Sequence, residues 1–272
     1  MQSLRLGNEE NKAIYQIGVN TIWRVIKEKY MSGHSKWSNI KHRKGKSDAQ
    51  KAKVFTKIGR EIAVAVKSGG ADPTINGKLK DLIAKARSNN MPSENVQRCI
   101  KKAAGGDDNT NYEEMIYEGY GPAGVAVIVE CLTDNKNRIA AEMRHYFDKY
   151  GGNLGATGCV GWSFDTKGII VIEKADDMDD DEMTLEAIEL GASDIEMIDG
   201  GYEITTEPET FSEIRSQIEE KRYTILEAEI SKIPQNYTSL TDEEDIKNMN
   251  KLIEMLEDND DVQNIYHSWE EA

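Results

Sequence analysis

An α+β fold is predicted: an amino-terminal basic three-helix bundle followed by two α/β units of ferredoxin-like kind, one inserted in the other. Three observations predict it. Apolar residues recur at helical spacing between residues 48 and 104. After residue 106, strand-like runs alternate with helical segments. The charge changes sign at the same place. Residues 31–104 carry 17 Lys+Arg against 5 Asp+Glu, a net of +12, whereas residues 105–272 carry 12 against 41, a net of −29. The total of −15 hides this division. Such asymmetry points to one surface built for a polyanion and others that repel it.

The elements follow in chain order. Met1–Tyr30 is a marginal amphipathic stretch (Ile14, Ile17, Ile22, Val25, Ile26), expected to be an upstream extension or an overlong start, because Met31 opens a different texture. Its glutamates do not suit a mitochondrial presequence, and its apolar run is too short for a signal peptide. Residues 32–46 (SGHSKWSNIKHRKGK) form a polar, basic arm, expected to pack through Trp37 and Ile40 and otherwise to stay mobile.

Ser47-Asp48-Ala49-Gln50 has the form of a capping box, and Gly69-Gly70 closes the helix that follows. Phe55, Ile58, Ile62 and Val66 centre on one face at 100° per residue. Lys53, Lys57, Arg60 and Lys67 centre on the opposite face. A second helix, marked by Leu79, Leu82, Ile83 and Ala86, stops before Pro92. A third, with Pro92 in its first turn and Val96, Cys99, Ile100 and Ala103 inward, ends at Gly105-Gly106. Both carry surplus cations (Lys78, Lys80, Lys85, Arg87, Arg98, Lys101, Lys102).

Strands are predicted at Glu113–Glu118 and Val125–Cys131, a helix at Lys136–Lys149, and a further strand at Val160–Phe164. From Lys167 the order is strand Ile169–Glu173, helix Asp181–Leu190, strand Asp194–Ile198, strand Tyr202–Thr206, helix Pro208–Lys221 and strand Ile225–Ile233. That is the βαββαβ order of a ferredoxin-like unit. A last helix (Ile246, Met249, Ile253, Leu256) and strand Val262–Tyr266 are too little for a domain. They are expected to complete a discontinuous middle domain, residues 109–164 plus 236–272, with residues 165–235 inserted and residues 31–108 as the basic arm and bundle.

Several function classes are disfavoured. No window approaches the ~18 consecutive apolar residues of a membrane span. Cys99, Cys131 and Cys159 lie far apart in apolar patterns, as expected of core residues in a reducing cytoplasm. His34, His42, His145 and His267 have no metal-ligand spacing, so neither metal nor cofactor is expected. No nucleophile elbow, Walker A loop or H-E-x-x-H motif occurs, and the chain is read as non-enzymatic. Gly119-Tyr-Gly121-Pro-Ala-Gly124 spells G-x-G-x-x-G, but a strand rather than a helix follows it, and it reads as a strand-joining turn. The acidic run Asp176–Glu182 lacks EF-hand spacing and reads as a linker and helix start. Gly151-Gly152-Asn153-Leu154-Gly155-Ala156-Thr157-Gly158 has more glycines than a helix end needs. It is either a flexible connection or a second contact loop for RNA or a partner, through Gly152, Asn153, Gly155, Thr157 and Gly158.

The opening Met31-Ser-Gly-His-Ser-Lys-Trp-Ser-Asn-Ile-Lys-His-Arg-Lys resembles the start of the YebC/PmpR family. The resemblance continues through Asp48–Lys53, Phe55-Thr56-Lys57, Arg60-Glu61-Ile62, Asn90-Met91-Pro92, Tyr117–Pro122, Asn135–Arg138 and Gly151–Gly155, and covers residues 31–270. It implies three domains and a cytoplasmic bacterial protein of a family of DNA-binding transcriptional regulators. Relatives include a mitochondrial translational activator and proteins linked to ribosomes stalled on proline-rich sequences. The reading is therefore a DNA-binding transcriptional regulator, with a ribosome-associated translation factor binding rRNA as the alternative and a protein-interaction scaffold third. A monomer is favoured. The expected nucleic-acid contacts are His34, Lys36, Trp37, Lys41, His42, Arg43, Lys44, Lys46, Lys53, Lys57, Arg60 and Lys67, chiefly to phosphate. No helix is recognisable as a reader of base edges.

Overall fold

The computed structural model describes residues 48–105, 110–175 and 177–270. The arm residues His34, Lys36, Trp37, Lys41, His42, Arg43, Lys44 and Lys46, and the capping serine Ser47, lie outside them.

Among the described residues three helices come first: α1 (Asp48–Gly69), α2 (Gly77–Ser88) and α3 (Ser93–Ala104). The apolar stripe of α1 supplies Ile58, Ile62 and Val66 to a shared core. Leu79, Leu82 and Ala86 of α2 and Val96, Ile100 and Ala103 of α3 complete it. Gly70 adopts a left-handed φ of 85°, and its N–H donates to the Val66 carbonyl, which ends α1. Asn76 then begins α2 by accepting the Leu79 N–H at 3.1 Å. Its side-chain amide donates to the carbonyls of Ala65 and Gly70. One buried asparagine thus satisfies both the end of α1 and the start of α2.

Two four-stranded antiparallel sheets follow. The first has the order β3-β1-β2-β9, from β1 (Glu113–Tyr120), β2 (Ala126–Thr133), β3 (Asn153–Leu154) and β9 (Val262–His267). Its central strand β2 is apolar on both faces. Helices α4 (Lys136–Lys149) and α7 (Glu243–Asp258) cover one of them, through Ile139, Met143, Phe147, Met249, Leu252 and Leu256. Strand β9 pairs with β2, with Val127 opposite His267 and Ile128 opposite Tyr266.

The second sheet lies, in sequence, between β3 and β9. It has the order β5-β6-β4-β7, from β4 (Phe164–Glu173), β5 (Asp194–Ile198), β6 (Gly201–Thr206) and β7 (Ile225–Pro234). Helices α5 (Asp180–Glu189) and α6 (Phe211–Glu220) pack on it through Met183, Ala187, Ile214 and Ile218. Asp179, within the acidic run, caps α5 by accepting the N–H groups of Asp181 and Glu182. A short parallel pair, β8 (Thr238–Ser239) with β10 (Trp269–Glu270), accompanies the return to the first sheet.

Two predicted elements differ. Val160–Phe164 is not a strand: Gly161–Ser163 make a 3₁₀ turn, and Phe164 opens β4. Strand β4 therefore starts five residues before the predicted Ile169. Its polar first half, Asp165–Lys167, shows no apolar alternation, and is held by pairing with Ser231–Ile233 of β7. Helix α6 starts at Phe211 rather than Pro208, because Glu207–Thr210 close a turn of their own.

Candidate nucleic-acid interface

The cationic stripe of α1 faces the chain's own acidic segment. Lys53 Nζ lies 2.7 Å from Asp258 Oδ1 and also donates to the Asp258 carbonyl. One turn on, Lys57 Nζ donates to the Glu257 carbonyl at 3.0 Å. Arg60 donates through Nη1 to the Asp260 carbonyl at 2.7 Å and to Asp261 Oδ1 at 2.6 Å. Its guanidinium also lies over the Tyr112 ring. Lys67 Nζ donates to the Thr110 carbonyl. Lys53, Lys57, Arg60 and Lys67, expected as phosphate contacts, are all engaged within the molecule.

The physical reason lies at the end of α7. That helix starts with Glu243, Glu244 and Asp245, which suit its positive end, but has no basic residue in its last turn. The carbonyls of its last turn, which meet no N–H further along the helix, and Asp258 carry negative potential that suits cations. Helix α1 supplies Lys53 and Lys57 from another part of the chain.

Asp261 is the centre of this junction. It is 4% exposed, and its carboxylate receives Arg60, Arg138 Nη2 at 2.6 Å and Thr133 Oγ1 at 2.8 Å. Burial alone would raise its pKa. The hydrogen bonds from Arg138, Thr133 and Arg60 outweigh that and hold the carboxyl below its ordinary range. The second sheet also meets the helical unit, where Arg215 of α6 lies 3.1 Å from Asp81 of α2. Across the two sheets, Lys232 of β7 lies 2.7 Å from Glu130 of β2.

The cations on the outer faces of α2 and α3 are disposed differently. Lys78 and Lys85 pair with Glu114 and Glu61. Lys80, Arg87, Arg98 and Lys101 are exposed and have no carboxylate partner among the described residues; Arg98 donates to the Asn95 side chain.

The glycine loop is organised from within. Glu118 of β1 is buried, and its carboxylate accepts the N–H groups of Gly158, Val160 and Gly161 at 2.7–2.9 Å. Burial raises its pKa, but these three amides prevail and leave it lowered. A Cβ at Gly152 would lie 2.6 Å from the Tyr120 carbonyl oxygen, and one at Gly155 would collide with Cys159 Sγ. Gly151 and Gly158 have left-handed φ values of 75° and 85°. Gly151 and Gly158 thus serve the backbone conformation, and Gly152 and Gly155 the close approach of Tyr120 and Cys159. Asn153 and Thr157 are exposed. Trp162 beside the loop is 71% exposed, and its indole N–H donates to the Cys159 carbonyl.

The profile of the TACO1/YebC protein N-terminal domain matches residues 35–106, and that of the TACO1/YebC second and third domain matches residues 112–269. The chain belongs to the TACO1/YebC family. A relative from Acetivibrio thermocellus, named a probable transcriptional regulatory protein, is 60% identical over 239 residues, which span 88% of this chain and 99% of that protein. One of the same name from Caldicellulosiruptor bescii is 56% identical, over 89% of this chain and 99% of its own. The crystal structure of a conserved hypothetical protein from Aquifex aeolicus is 43% identical and superposes with a TM-score of 0.76, covering 86% of this chain and 96% of that one.

The two TACO1/YebC matches meet between residues 106 and 112, where the charge changes sign. The G-x-G-x-x-G stretch in the second match joins β1 to β2 through a single 3₁₀ turn, Pro122–Gly124, and Gly121 N–H donates to the Val125 carbonyl. A strand, β2, rather than a helix follows it. Cys131 is buried and its thiol is pushed up to about 12 by that burial, and burial raises Cys99 and Cys159 as well. These are poor nucleophiles. Among the described residues no group of three or more His, Cys, Asp or Glu side chains is placed to hold a metal ion, and no helix is long and apolar enough to cross a membrane.

Sequence reasoning missed the partners: Asp258, Asp261 and the carbonyls of α7. A signal existed in the acid-rich helix with no cation in its last turn. Asp81–Arg215 and Glu118 had none, since each depends on elements brought together from distant parts of the chain.

Proposed function

We propose that this chain is a non-enzymatic, cytoplasmic, DNA-binding transcriptional regulator whose phosphate contacts lie on residues 31–104. The observation that carries the reading is the charge partition: a net of +12 on that segment against −29 on the rest. A polyanion is attracted to the first part and repelled by the second, which favours docking through the first. The names of the Acetivibrio and Caldicellulosiruptor relatives support the same reading. Lys36, Lys41, Arg43, Lys44 and Lys46 of the arm are the contacts proposed there.

Sucrose-gradient sedimentation of lysate, with and without nuclease, tests it together with retention on duplex DNA. The proposal expects migration away from ribosomal particles and salt-sensitive retention on DNA. Nuclease-sensitive co-migration with ribosomal particles would replace it with an RNA-directed translation role.

A further inference from the structure

We propose that the outer faces of α2 and α3, through Lys80, Arg87, Arg98 and Lys101, form a second docking surface for the phosphate backbone of duplex DNA, separate from both the arm and α1. The inference rests on the DNA-binding reading and names the folded surface that serves it.

Three observations lead there. First, the most regular cationic stripe, on α1, is closed. Lys53, Lys57 and Arg60 are bound to residues 257–261, and Lys67 to Thr110. A phosphate must compete with the acidic segment 257–261 for Lys53, Lys57 and Arg60, and with the Thr110 carbonyl for Lys67. Second, cations elsewhere are largely engaged by carboxylates, as in Lys167–Glu207, Lys221–Glu186 and Lys232–Glu130. Lys80, Arg87, Arg98 and Lys101 have no such partner among the described residues, in a chain with a large excess of acid. Third, their spacing is directional. Lys80 and Arg87 are seven residues apart, two turns of α2, and share one face beside the buried Leu79, Leu82 and Ala86. Arg98 and Lys101 are three apart on α3, turned away from the buried Val96, Ile100 and Ala103. The junction at Asp261 and the Asp81–Arg215 contact hold the sides facing the rest of the molecule. The four cations occupy faces that remain open.

Positive charge on rigid helices, with no exposed carboxylate pairing it, suits a regularly spaced polyanion. Each Lys or Arg that neutralises a phosphate releases condensed counterions, so the number of contacts appears as the slope of log K against log salt. Arg87 and Arg98 can each also bind a phosphate through two N–H groups.

The test is a salt titration of the full chain against a labelled mixed-sequence DNA duplex several turns long. Wild type is compared with the variant carrying Lys80→Ala, Arg87→Ala, Arg98→Ala and Lys101→Ala, whose fold is checked by circular dichroism and thermal midpoint. All four side chains are exposed, so the fold is expected to survive. The expected result is a loss of more than ~tenfold in affinity at ~0.1 M salt and a slope shallower by ~3–4. If the variant unfolds, Lys80→Gln and Lys101→Gln singly should each still lower the slope by ~0.9. Wild-type affinity and slope in the variants, with wild type binding DNA, would overturn the surface and leave the DNA-binding reading standing. No wild-type binding to duplex DNA would overturn both.

Discussion

Arg60 Nη1 and Asp261 Oδ1 meet at 2.6 Å, joining the basic helical unit to the first sheet through a carboxylate almost sealed from solvent. The arginine side chain is 18% exposed and the aspartate 5%. Lys53 and Asp258, three residues away along the same acidic segment, are 37% and 60% exposed. The two pairs are equally short but differ in how much solvent screens them.

That difference predicts unequal energetics. Lys53→Ala should lower the unfolding free energy by less than ~1 kcal/mol, as exposed ion pairs usually do. Arg60→Ala leaves Asp261 with one cation fewer in a buried setting and should cost about 2–3 kcal/mol, below the full buried-pair range because Arg138 remains. Urea midpoints of the two variants check the order. Equal effects would show that the junction does not depend on burial.

Acid should loosen the same junction. The Asp261 carboxyl is held below its ordinary value of 3.8 in the folded chain, so its stabilising contribution is fully present above that value. It is lost as pH falls through the lower folded value. Its contribution to stability should therefore be flat from pH 7 to pH 5 and decline only in stronger acid. Asp261→Asn should be less stable at neutral pH and show a shallower acid decline than wild type. An unchanged acid limb would remove Asp261 from this role.

Glu118→Gln should release the glycine loop. A neutral amide offers one acceptor oxygen where the carboxylate now serves three N–H groups, and leaving buried donors unsatisfied costs about 1–3 kcal/mol each. Hydrogen exchange at Gly158, Val160 and Gly161 should accelerate markedly, while β2 stays protected.

The loop's glycines and its exposed polar residues should separate cleanly. Gly152→Ala forces a methyl against the Tyr120 carbonyl and should destabilise by about 1–3 kcal/mol. Asn153→Ala with Thr157→Ala removes exposed groups and should leave both stability and DNA affinity within about twofold of wild type, since a difference below 0.5 kcal/mol is usual at surfaces. A selective loss of affinity in the double variant would make the loop a contact.

Much of the architecture was legible because it rests on local periodicity. The α1 stripe, the Asn90–Pro92 break, the Lys136–Lys149 helix and the βαββαβ order all follow from apolar spacing and turn residues within a few positions. The start of β4 was not legible, because its polar half is held by β7, more than sixty residues away. The candidate interface was legible as charge but its intramolecular partners were not. Periodicity shows that Lys53, Lys57 and Arg60 share a face, but not that α7 and Asp261 lie opposite it. Lys80, Arg87, Arg98 and Lys101 gave no such regular stripe, yet on α2 and α3 they are exposed with no carboxylate partner among the described residues.

The most direct test of the account is the salt dependence of the full chain on duplex DNA. The account predicts log K falling linearly with log salt, with a slope of about −4 or steeper, as several phosphate contacts require. Binding that is absent, or that does not change between low and physiological salt, would contradict it.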